Sequence, residues 1–146
     1  MEVTDIYTND MDRKNFLKGL IRTALVDKVV ADEERIYLRS AAIGLGLKPD
    51  DVDELTAALE YDLEKPAVQE YFKVDFDTKA KKIFLLEEII QLANIDQDYS
   101  LAERHEVRKM AKEMGISDNT VEAIEEWVHD GIEWREKGET LLQLED

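Results

Sequence analysis

Two short acidic loops are the stretches of this chain whose residue types could do chemistry. The second reads Asp96-Gln97-Asp98-Tyr99-Ser100-Leu101-Ala102-Glu103, and the first keeps Asp27 and Glu34 at the same separation. A hard cation such as Ca²⁺ or Mg²⁺ needs several converging carboxylate and carbonyl oxygens, which a loop between helices can supply. Asp27, Glu34, Asp96, Asp98 and Glu103 are therefore the candidate metal ligands. As an EF-hand the loop fails, because Leu101 stands where the glycine belongs and Val107 where the bidentate Glu belongs. Asp96, Asp98 and Ser100 also suit loop-ending and capping roles, with Ser100 and Glu103 spaced as a capping box. A Glu103 carboxylate spent on a backbone N–H is less free for a cation. Capping is the default, and any cation is an addition rather than a required cofactor.

A second pattern competes with the first. Residues Ala111 to Val121, followed by Ile124, have the spacing of a helix-turn-helix around Gly115. The helix that would enter the groove carries Asp118, Glu122, Glu125 and Glu126, and phosphate contacts come from cations. Charge overrules spacing, so nucleic acid is excluded as the favoured partner and a DNA-binding regulator is kept as the alternative. Enzyme motifs are absent from the sequence. His105 and His129 are its 2 histidines, no second His follows His105 at zinc-protease spacing, and no Gly-rich phosphate loop or nucleophile elbow occurs.

The elements that must hold these loops are helices. The chain has 146 residues, 6 Gly and 2 Pro, and its apolar residues recur three and four apart. A chain of this length buries enough surface for a core without staples, and with 0 Cys it has none. Its formal charge of -16 argues against nucleic acid and anionic membranes and permits basic proteins or cations. No stretch suits membrane insertion, and the lack of Cys suits the cytosol. Residues 1–10 read as a loosely ordered lead-in and residues 11–146 as a single all-α domain, a compact bundle of about seven helices.

The domain has an internal likeness. A gapless shift of 69 positions sets Ala24 on Ala93, Asp27 on Asp96, Glu34 on Glu103, Arg35 on Arg104, Arg39 on Arg108, Ala42 on Ala111, Gly46 on Gly115 and Val52 on Val121. Helical periodicity explains matching apolar positions but not matching Asp, Glu, Arg and Gly. Duplication over about 16–59 and 85–128 is the preferred account, and two such halves are expected to pack about a pseudo-twofold axis. In the first half Ile36, Leu38, Ala42 and Leu45 are expected to face inward. Trp127 and Trp134 follow the stripe of Ile124 and Val128 and are expected to anchor the core, with a partner or self-association surface as the alternative. The closing Leu141-Leu142-Gln143-Leu144 adds to that alternative, since its leucines must fold back or be covered.

The segments Ala93-Asn94-Ile95-Asp96, Glu103-Arg104 and Ala111 to Gly115-Ile116, with the first copy at Ala24 to Gly46, resemble the TerB-like family of bacterial tellurite-resistance and stress-response proteins. Lys28 and Gln97 depart from its pattern at the residue after the Asp, where the family has Gly. The resemblance implies a small all-helical, non-catalytic cytoplasmic module that acts through a protein partner, with metal binding through acids such as Asp96 and Glu103.

Overall fold

The structure is a computed structural model that describes residues 3–26, 30–95 and 99–143. The described residues form helices and turns with no strand. Eight α-helices run in the order α1 (Val3–Ile6), α2 (Asp10–Leu25), α3 (Asp32–Gly44), α4 (Pro49–Ala57), α5 (Pro66–Tyr71), α6 (Lys79–Ile95), α7 (Leu101–Glu113) and α8 (Asp118–Gln143). A 3₁₀ turn, Ala58–Glu60, closes α4. The helix beyond the expected seven is α1, in the segment read as a lead-in. Its purpose is visible in the next residue: Tyr7 is fully buried, and its hydroxyl donates to the Lys81 carbonyl at 2.8 Å.

Helix α2 starts where the Asn9 side chain accepts the Asp12 N–H at 2.8 Å, an N-cap that satisfies one free backbone donor. It then buries Phe16, Leu17, Leu20, Ile21 and Leu25. Helix α6 buries Leu85, Leu86, Ile89 and Ile90 against it. A Cβ added at Gly19 would lie 2.8 Å from Leu85 Cδ1, so the absence of a side chain is what lets the two helices approach this closely. Each fully buried Leu or Ile stabilises the fold by roughly 1.5–3 kcal/mol, which makes this pair the centre of the core.

The shift of 69 reappears in the backbone. Helices α3 and α7 begin and end at shifted positions, Asp32–Gly44 against Leu101–Glu113, and α4 and α8 begin at Pro49 and Asp118. Gly46 and Gly115 both have φ 78°. In one turn Leu47 N donates to Ala42 O at 3.3 Å and Gly46 N to Ile43 O at 3.0 Å. In the other, Ile116 N donates to Ala111 O at 2.8 Å and Gly115 N to Lys112 O at 3.0 Å. Both are Schellman endings, which need the left-handed residue that glycine supplies. Leu17 and Leu86, and Ile21 and Ile90, are further shifted identities, all buried.

Two shifted pairs also touch each other. The rings of Tyr7 and Phe76 stack with centroids 5.0 Å apart, and Lys81 Nζ meets Asp12 Oδ2 at 2.7 Å.

One inward expectation is corrected: Ile36 is 67% exposed, whereas Leu38, Ala42 and Leu45 are buried. On α3 the inward stripe is narrow, spaced four then three, and Ile36, a two-residue step from Leu38, falls on the opposite side of the helix.

Candidate functional site

At the acidic loops, the described residues do capping work. Ser100 N donates to Glu103 Oε1 at 3.0 Å and Glu103 N donates to Ser100 Oγ at 3.1 Å, the reciprocal box that the spacing predicts. In the first half Ala31 N donates to Glu34 Oε1 at 3.4 Å, and the alanine side chain has no oxygen to return the bond. Asp27, Asp96 and Asp98 lie outside the described residues. Among the described residues no group of three or more side chains is arranged to hold a metal ion.

The recurring E-R-x3-R motif has a structural use in each half. Arg108 grips Glu125 of α8 with two bonds, Nη2 to Oε1 at 2.7 Å and Nη1 to Oε2 at 3.2 Å, and Arg104 Nη1 adds a third at 3.3 Å. Burial works against the Glu125 charge, but Arg108 and its neighbours outweigh it and hold the carboxyl below its ordinary range. Arg104 also lies 4.4 Å over the Tyr99 ring. At the shifted positions Arg39 Nη1 donates to Thr56 Oγ1 at 3.3 Å, and Arg35 pairs with Glu60 at 2.5 Å. The arginines are clasps from the second helix of each half to the third, and residues 56 and 125 are themselves 69 apart.

The Ala111 to Val121 spacing is likewise met twice. Ala111, Met114, Ile116 and Val121 are buried around Gly115, and Ala42, Leu45, Leu47 and Val52 are buried around Gly46. The arrangement is a way to lock a tight helix pair in either half.

Two charged features had no signal in the sequence pattern. Arg22 on α2 is buried, with Nε 2.5 Å from Glu106 Oε1, Nη1 2.7 Å from Glu113 Oε2 and Nη1 3.3 Å from the Phe72 carbonyl. It ties α2 to α7 and to the end of α5, and only a position-by-position search for charges on apolar faces would flag it. Glu87 on α6 is pushed up to about 7, first by burial and then by Glu88 beside it, with Arg135 of α8 pulling the other way.

The expectation that Trp127 and Trp134 anchor the core is overturned. Trp127 is 62% exposed and Trp134 77% exposed. The inward stripe of α8 is Val121, Ile124 and Val128, and the tryptophans lie on the flank of the helix away from it. Beyond that stripe α8 runs on: from Glu133 to Gln143 every residue except Gly138 is exposed. Trp127, Trp134 and Leu141 line up at seven-residue intervals along one side, an uncovered apolar strip on a charged helix.

No known family model, curated protein or solved structure matches this chain. Among the described residues no helix is long and apolar enough to cross a membrane.

Proposed function

We propose that this chain is a non-catalytic, acidic interaction module of the TerB-like, tellurite-resistance and stress-response type, working in the cytoplasm and docking a protein on the outer strip of α8. Its scaffold is two related helical halves about a pseudo-twofold axis. What supports the axis is the pairing of Tyr7 with Phe76 and of Asp12 with Lys81, because a residue meets its own counterpart only close to a twofold axis. The observation that carries the docking role is the exposure of both tryptophans on one strip, since aromatic anchors on a surface are what hot spots of interfaces are made from.

The helix-turn-helix alternative has less support, because the same spacing recurs around Gly46 and the acidic residues of α8 repel phosphate. Weak divalent-cation binding remains a subsidiary part of the proposal, limited by the capping use of Glu34 and Glu103.

A photo-crosslinking amino acid placed at Trp134, compared with one at exposed Lys109 on α7, tests the docking role in cells. Discrete adducts at position 134 that position 109 does not give are expected. Equal adducts at both positions, or none at 134, would overturn it.

A further inference from the structure

Resting on the docking role of α8, we infer that the protein covering this strip is a second copy of the same chain, paired antiparallel. Trp127, Gly131, Trp134, Gly138 and Leu141 recur at steps of four, three, four and three, which is the seam of a coiled coil with large and glycine positions alternating. A Cβ built on Gly131 or Gly138 would meet nothing within 4 Å, so the hollows beside the tryptophans are unfilled by the described residues.

The occupant follows from size and charge. Parallel pairing would stack Trp on Trp and Gly on Gly, leaving clashes and gaps. Antiparallel pairing centred between residues 132 and 133 sets Trp134 against Gly131 of the second copy and Trp127 against its Gly138, so that each knob enters an open hole. The same register brings Asp130 beside Lys137 of the second copy and Lys137 beside its Asp130. The next antiparallel register, one heptad along, would set Lys137 against Lys137. The strip is therefore complementary to itself, as an isologous contact requires.

Area agrees. With about 200 Å² per aromatic side chain, exposures of 62% and 77% amount to roughly 300 Å² of tryptophan per copy. A twofold contact counts that patch twice, and Leu141 and Leu142, 68% and 87% exposed, carry the total towards the roughly 1,000 Å² of a specific interface.

Sedimentation equilibrium of the whole chain, from micromolar to hundreds of micromolar, reads the result. The wild type is expected to pass from monomer to dimer. W127A/W134A, whose substituted residues are exposed in the fold, should keep its helical circular dichroism and associate at least about a hundredfold more weakly. D130K should weaken association about tenfold, and D130K/K137D should restore it, because the swapped pair is again opposite in charge only in the antiparallel register. A wild type that stays monomeric, a dimer indifferent to W127A/W134A, or a swap no better than D130K would each overturn the inference. Adducts at position 134 with other proteins, from a chain that is strictly monomeric, would sink self-pairing while leaving the docking role standing.

Discussion

The two third helices, α4 and α8, begin in the same register and end differently. Helix α4 stops at Ala57, tightens into a 3₁₀ turn and is followed by α5 and the stretch after it, whose Phe72 and Val74 are buried. Helix α8 starts 69 residues later, keeps its regular winding to Gln143 and, among the described residues, has nothing over its outer side. Ala58 and Trp127 occupy shifted positions, yet Ala58 is buried and Trp127 exposed. Helices that start in the same register thus come to different ends: α4 leads into residues that are buried, and α8 leaves an apolar strip exposed.

The largest difference between the halves sits at Arg22, whose shifted counterpart is Gln91. Arg22→Ala leaves Glu106 inside without its partner and is expected to cost about 3 kcal/mol in urea unfolding, since removing one side of a buried pair strands the other. Gln91→Ala, on a half-buried site without that network, should cost well under about 1 kcal/mol. Equal costs would mean that the network does not set α2 apart.

Capping gives a reciprocal pair of intermediate size. Ser100→Ala removes the hydroxyl that accepts Glu103 N–H and should cost about 1 kcal/mol. Ala31→Ser supplies the missing half of the box at the shifted position and should stabilise by a similar amount, measured by the same unfolding. A destabilised Ala31→Ser would break the equivalence of the two loops.

A pH-dependent comparison concerns Glu87 and its shifted counterpart Lys18, which lies 4.2 Å over the Tyr71 ring. Burial penalises both charges, raising Glu87 to about 7 and lowering Lys18. An acid whose folded pKa is raised binds its proton more tightly in the fold, so stability falls as pH rises from the unfolded carboxyl range to about 7 and is level above it. Glu87→Gln should therefore raise Tm at pH 8 relative to the wild type and leave it nearly unchanged at pH 4. The same gain at both would rule out ionisation as the cause.

How far the sequence led depends on which residues are considered. The all-helical class, the ends of α3, the start of α4 and the Ser100 box were legible because each rests on local chemistry: apolar period, Pro49 at a first turn, Gly46 and Gly115 past helix ends. The outward turn of the tryptophans was not, because a neighbouring helix decides which side of an apolar stripe is covered; that of Ile36 was legible in its two-residue step to Leu38, which puts the two on opposite sides of a helix. Arg22 was invisible for a related reason: its acids come from Glu106 and Glu113, far along the chain and near only in the fold. Among the candidate ligands, Glu103 was legible as a cap through its spacing from Ser100, Glu34 was not because Ala31 gives no capping signal, and Asp27, Asp96 and Asp98 fall outside the described residues.

Tryptophan emission tests the central claim most directly, because the chain's 2 tryptophans both lie on α8 and report on no other surface. In dilute solution the emission should be that of water-exposed indole, and it should shift to the blue as concentration rises and the strip becomes covered. Emission already blue in the dilute monomer, unmoved by concentration, would contradict an open strip on α8.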